Sequence, residues 1–342
     1  MKRYLISPLP WRTHSRGLWQ RVALSLMATV LLAGCGSGTG SGGKKQFVVA
    51  FSQANNAEPY RAAQNAFLAR LFAAQPDVKL AIGDAQQDNS KQVAQVETFI
   101  RQKPDLLIVA PNERAALTAV MGQAMEAHIP VICLERDILQ PNYTSYVHSD
   151  NVAIGRLAGQ FIVDHLTKKY GKPKGYIVAM RGLLGVEGEI NRDRGAREVF
   201  DKYPEIKIVA DPVADWIQAK AKDRMTEVLR AQPRIDVVYG HNDPMAVGAY
   251  LAAKEQGREK EMIFVGVDGL GGPAGGIRKG MDGILAATFV YPLCVDKAAE
   301  VANRILREPG FKPEKDYVLD SLMVTSENAA QMYEKFTIPG IN

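Results

Sequence analysis

The sequence predicts an α/β protein made of two similar, doubly wound parallel-sheet domains. Three observations predict it. Short continuous apolar runs such as FVVAF (47–51) and VICL (131–134) read as strands buried on both faces. The stretches between such runs carry apolar residues at helical spacing, as at Ala63, Phe67, Leu71 and Phe72. The alternation restarts after Asp150, giving two sets of βα units, and such sets build parallel sheets covered on both faces by helices.

The elements follow in order. FVVAF is succeeded by a helix from Pro59 to Ala74, a strand VKLAI (78–82), and a helix through QVAQVETFIRQ. Then come LIVAP (107–111), a helix near 113–127, and VICL. In the second set a helix at 151–169 precedes YIVAM (176–180), and a helix at 188–202 precedes IKIVA (206–210). A helix at 216–231 precedes DVVYG (236–240), and one at 244–256 precedes MIFVGVD (262–268). ILAATFV (284–290), a helix at 293–307, a strand near 322–325 and a helix at 326–335 complete the chain. Ligands of open parallel sheets gather at the carboxyl ends of the strands. That rule selects polar residues at strand ends: Ser52, Glu135, Arg136, Asn242 and Asp268.

The first 34 residues stand apart from this pattern. Lys2, Arg3, Arg12, Arg16 and Arg21 make a basic start with no acidic residue, and VALSLMATVLLAG (22–34) is an apolar core too short to span a bilayer comfortably. Leu32-Ala33-Gly34-Cys35 resembles the bacterial lipobox, in which the signal is cut before a cysteine that is then acylated. Residues 35–44, rich in glycine and serine, read as a flexible tether. The expectation is a lipoprotein lipidated at Cys35 and held at a bacterial membrane, in the periplasm or on the cell surface. The whole chain carries +5, and the first 34 residues hold five basic groups, so the remainder is neutral. No nucleic-acid partner follows from the basic total. The three cysteines make no disulfide framework, and Cys133 and Cys294 read as buried, unpaired core residues.

Several chemical signals are absent or weak. GLGGPAG (269–275) mimics a dinucleotide fingerprint but lies late in its βα set, with Ala274 in the last glycine position. There is no GxxxxGK[ST]. The five histidines, at 14, 128, 148, 165 and 241, show no metal-ligand spacing. No nucleophile–base signature has a recognisable context. The expectation is a protein with no cofactor, no metal and no catalytic apparatus.

The motifs FSQANNAEPYR (51–61), GDAQQDNSKQVAQVETFI (83–100), PVICLERD (130–137), SDNVAIGRLAGQF (149–161), NRDRG (191–195), GHNDPMAVGA (240–249) and FVGVDG (264–269) carry a resemblance. In this order and spacing the sequence resembles a ribose-binding-type solute-binding protein, that is, a type I periplasmic binding protein of a sugar ABC transporter, from about Phe47 to about Thr325. The resemblance implies two lobes facing across a cleft and joined by a three-strand hinge, with crossings near Ser149–Asp150, Tyr291–Pro292 and Leu319–Asp320. One lobe would be 45–149 plus 292–319, the other 150–291 plus 320–342. It implies binding positions at Ser52, Asn56, Tyr60 and Arg61 in FSQANNAEPYR, and at Glu135 and Arg136 in PVICLERD. It also implies Arg194 in NRDRG, Trp216 in ADW, Asn242 in GHND, Asp268 in FVGVDG, and Tyr291 where ribose binders have Gln. Glu135 stands where the ribose pattern has Asp, and Arg61 matches relatives that bind furanose hexoses. Pentose, hexose, galactofuranose-like sugar and cyclitol all stay open.

These residue types suit a polyol. Each hydroxyl both donates and accepts, and burying one without a partner costs about 1–3 kcal/mol. Carboxylates accept, guanidiniums donate in a fork, and Asn does both. Tyr60 and Trp216 offer faces for sugar C–H groups. The function expected is capture of a neutral monosaccharide or polyol by a monomer that delivers it to an ABC transporter permease. A receptor on the same fold acting on a membrane sensor kinase is the alternative. A transcription regulator would need a helix-turn-helix before residue 45, where the signal stands.

Overall fold

The computed structural model describes residues 45–338; the expected signal, Cys35 and the tether lie outside the described residues. Two six-stranded sheets organise the chain. The first is ordered β11-β5-β4-β3-β1-β2 and the second β12-β10-β9-β8-β6-β7.

The first set comprises β1 (Phe47–Gln53), α1 (Pro59–Ala73), β2 (Val78–Asp84), α2 (Asn89–Gln102), β3 (Leu106–Ala110), α3 (Arg114–Glu126), β4 (Val131–Leu134) and β5 (Ser145–Ser149). The second comprises α4 (Asn151–Tyr170), β6 (Gly175–Met180), α5 (Glu187–Phe200), β7 (Ile206–Ala210), α6 (Gln218–Ala231), β8 (Val237–Gly240), α7 (Asp243–Glu255), β9 (Ile263–Asp268), α8 (Gly276–Met281) and β10 (Ala287–Val290). The chain then returns to the first sheet with α9 (Val295–Arg307) and β11 (Asp316–Leu319), and to the second with β12 (Met323–Thr325) and α10 (Ala329–Phe336).

Local chemistry fixes the helix starts. Asp88 accepts from the Lys91 amide, Asp150 from those of Val152 and Ala153, and Asn242 from that of Met245. Pro59 opens α1, where a missing N–H costs nothing. Lys103 and Gly171 end α2 and α4 in the left-handed region.

Both sheets are buried between helices. Phe51, Ile108 and Ile132 pack with Leu68 and Phe72 of α1 and Val295 and Ala298 of α9. Leu107, Val109 and Cys133 pack on the other face with Val96 of α2 and Leu117 and Met121 of α3. In the second sheet α4 and α5 cover one face, and α6 and α7 the other. The backbones of α4 and α5 approach closely: a Cβ on Gly155 would lie 2.3 Å from the Arg192 carbonyl oxygen, and one on Gly195 2.2 Å from that of Val152.

Two features depart from the expectation and one matches it. β5 and β11 were not anticipated. SYVHS and DYVL mix polar and apolar residues, and β11 lies at a sheet edge where one side stays wet. The second sheet is not wholly parallel, since β12 runs antiparallel to β10. Cys133 and Cys294 are buried and free, as expected.

Candidate functional site

Each sheet reverses its strand order beside its first strand: β3 and β2 flank β1, and β8 and β7 flank β6. Crevices at such switch points receive ligands at the strand carboxyl ends. Here the residues following those ends meet around one small cavity, lined by Glu58, Tyr60, Arg61, Glu135, Arg136, Gly188, Arg192, Trp216, Asn242, Asp268 and Tyr291.

The first lobe supplies an ionic cluster. Glu58 immediately precedes α1, and Tyr60 and Arg61 lie in its first turn. Arg61 Nη2 is 2.5 Å from Glu135 Oε2, and Arg136 Nε is 3.8 Å from the same oxygen. Arg136 Nη1 donates to the Asn112 carbonyl at 3.0 Å, and Arg61 Nη1 to Gln64 Oε1 at 3.2 Å. Burial works against both guanidiniums. For Arg61 the combined pull of Glu135, Glu58 and the neighbouring tyrosines outweighs it and the pKa rises, whereas Arg136, repelled by Arg61, shifts down.

The second lobe supplies the opposite wall. Arg192 Nη1 lies 3.8 Å from Asp268 Oδ1 and donates to the His241 carbonyl at 2.6 Å. Asn242 Nδ2 donates to the Trp216 carbonyl at 3.1 Å while Oδ1 caps α7. The Trp216 ring has Arg136 on one approach, 6.0 Å from its centroid, and Arg192 on another, at 5.7 Å. Gly182 makes room for that ring, since a Cβ there would meet it at 2.2 Å. Behind the wall, Asp243 accepts from Thr288 Oγ1 and the Gly269 amide. Burial pushes the pKa of Asp268 well up against the pull of Arg192, with Asp243 adding to the rise.

Tyr291 stands where the chain leaves the second sheet. Its ring stacks on Tyr60 at 5.2 Å and faces the Arg192 guanidinium at 4.5 Å. Tyr60 OH donates to the Pro292 carbonyl at 2.5 Å. Glu135, Trp216 and Asp268 have φ of 65°, 69° and 125°, conformations that cost non-glycine residues free energy and cluster at functional sites. Two buried donors of this wall, Arg61 Nε and Trp216 Nε1, have no partner among the described residues.

Eight of the eleven sequence-selected positions line this cavity: Tyr60, Arg61, Glu135, Arg136, Trp216, Asn242, Asp268 and Tyr291. Three do not. Ser52 is fully buried beneath it, donating to Gln95 Oε1 at 2.7 Å and accepting from Gln92. Asn56 is exposed and accepts from Asn65. Arg194 is exposed, and Arg192 occupies the cavity instead. Two residues along a helix turn the side chain by about 200°, so only one arginine of NRDRG can face inward. Glu58, Gly188 and Arg192 were missed. Only the packing of α5, which puts Gly188, Glu189, Arg192, Gly195 and Ala196 inside, distinguishes Arg192 from Arg194.

The other signals fall outside the cavity. The ring of His241 is fully buried, and burial and the neighbouring arginines push its pKa well down. Residues 269–275 form the connection between β9 and the six-residue α8. Among the described residues no cluster of His, Cys, Asp and Glu could hold a metal, and no helix is long and apolar enough to cross a membrane.

Comparison with known proteins fits this geometry. Residues 49–307 match the periplasmic binding protein domain, and the chain belongs to that family. It is 30% identical over 277 residues to the xylitol-binding protein of Mycolicibacterium smegmatis, covering 78% of this chain and 76% of that one. It is 30% identical over 296 residues to the galactofuranose-binding protein of Escherichia coli K12, covering 84% and 90%. Among solved structures, the fructose-binding periplasmic domain of a hybrid two-component system superposes with a TM-score of 0.79 at 37% identity, covering 85% of this chain and 94% of that one.

Proposed function

We infer that this protein is an extracytoplasmic solute-binding protein that captures a neutral monosaccharide or related polyol between its lobes and hands it, unchanged, to an ABC transporter permease. The observation that carries this reading is the composition of the cavity wall: three guanidiniums (Arg61, Arg136, Arg192) face three carboxylates (Glu58, Glu135, Asp268), with Tyr60, Trp216 and Tyr291 between them. The charges offset one another, so an uncharged ligand suits the site, and donors and acceptors are both at hand for hydroxyls. Relatives named for xylitol and galactofuranose support the ligand class. In this reading the protein works as a monomer tethered through lipid on Cys35, and ligand closes the lobes through its greater affinity for the closed state.

The test is a thermal-shift and calorimetric screen of the purified protein against D-fructose, D-ribose, L-arabinose, D-galactose, xylitol and myo-inositol. A ligand at 100 times its Kd adds about 2.7 kcal/mol of stability. Binding lost in Arg136→Ala or Asp268→Ala supports the site. Binding intact in both defeats it. Likeness to the sensor-linked domain favours one second reading, a receptor acting on a membrane sensor kinase. Ligand-loaded protein that stimulates the ATPase of a reconstituted permease decides for transport.

A further inference from the structure

Asn151 lies two residues beyond β5, where the chain leaves the first sheet, and it is 1% exposed. Its amide makes three bonds. Oδ1 accepts from Arg192 Nε at 2.8 Å. Nδ2 donates to Glu187 Oε2 at 2.7 Å and lies 3.3 Å from Tyr291 OH. Tyr291 OH in turn donates to the Glu135 carbonyl of the other lobe at 3.4 Å. One side chain at the first crossing thus joins a cavity arginine to a cavity tyrosine at the second crossing, and through it to the cavity carboxylate residue across the cleft.

We propose that Asn151 is a positioning residue that sets the ligand-facing edge of Arg192 and ties it to Tyr291, so that contact at Arg192 biases closure of the lobes. The proposal rests on the binding-protein reading above. The bonds that hold Arg192 use Nε and Nη1, which leaves Nη2 to meet a ligand. Only a neutral amide serves all three partners. An aspartate would lose the donor and face Glu187, and an aliphatic residue would lose both ends. Glu187 is itself fixed by Asn191, so Asn151 cannot rotate without leaving a buried carboxylate short of a donor.

The test is a double-mutant cycle with a readout of lobe closure. Asn151→Ala, Tyr291→Phe and the double variant are titrated calorimetrically with whichever member of the sugar panel binds wild type most tightly. Each single change is expected to weaken binding by about 10-fold or more. The double variant is expected to be little worse than the weaker single one, because both changes cut the same link. Losses that multiply overturn the proposal. Small-angle scattering without ligand supplies the second arm: both single variants are expected to have a larger radius of gyration than wild type, and unchanged radii overturn it. If no sugar in the panel binds, the ligand-class reading fails, and the scattering arm alone decides for or against Asn151. If Asn151→Ala does not fold, Tyr291→Phe decides by scattering.

Discussion

Arg61 and Glu135 form an ion pair of 2.5 Å with side chains only 1% and 7% exposed. Such a pair is poor evidence of net stabilisation, because both ions lose their water. Removing one partner is another matter. Arg61→Ala should destabilise by about 3–5 kcal/mol, since it leaves Glu135 buried with its remaining ion-pair partner, Arg136, 3.8 Å away. Replacing both by neutral residues, Arg61→Met with Glu135→Gln, should cost less than Arg61→Ala alone. Urea denaturation of the three variants checks this, and a costlier double variant would show that the pair itself stabilises the fold.

The two arginines of NRDRG should behave differently. Arg192→Ala should weaken ligand binding by at least about 100-fold, because it removes a buried donor and strands Asp268. Arg194→Ala, on the exposed face of α5, should change affinity hardly at all and stability by no more than about 0.5 kcal/mol. Calorimetric titration of the pair gives the comparison.

Gly155 sets the distance between α4 and α5. A methyl group there would sit 2.3 Å from the Arg192 carbonyl oxygen, which is too close to persist. Gly155→Ala should therefore push α5 outward, cost about 1–3 kcal/mol, and weaken binding although residue 155 touches no ligand. An unchanged Kd would mean that α5 absorbs the methyl without moving Arg192.

Glu187 predicts a pH dependence. Burial pushes its pKa from 4.5 up to about 7 against the pull of Asn191 and Asn151. Below pH 4.5 both folded and unfolded chains hold the proton. As pH rises towards 7 the unfolded chain releases it first, so the group's contribution to stability declines through that window and is spent above the folded pKa. The loss is of order 3 kcal/mol or less. Glu187→Gln should flatten this part of the stability–pH curve, leaving the share due to Asp243, whose pKa burial raises to about 7. Thermal melts from pH 4 to 8 provide the test, and an unchanged slope would remove Glu187 from the account.

The alternation of buried runs and amphipathic stretches made the βα order readable, because each buried strand must be apolar throughout. β5 and β11 escaped because SYVHS and DYVL lack that signature. Site residues at strand ends were readable for a topological reason, since the fold delivers those positions to the cleft. Arg192 was not, because the choice between two arginines in one motif depends on the rotational phase of α5, which is set by its packing on α4. Ser52 failed for a similar reason: the strand end is right, but its hydroxyl is engaged by Gln92 and Gln95. Asn151 carries no local mark of its links, which arise only when two distant crossings come together.

The left-handed backbone at Glu135, Trp216 and Asp268 bears on how this molecule would respond to laboratory evolution. Glycine would relieve about 1–3 kcal/mol of torsion at each, less than the roughly 3–5 kcal/mol lost by stranding Arg61 or by emptying the slot of the Trp216 ring. Selection for heat resistance alone would therefore keep the strain at Glu135 and Trp216. Screens for durable biosensor scaffolds from this chain gain nothing by relaxing those two codons.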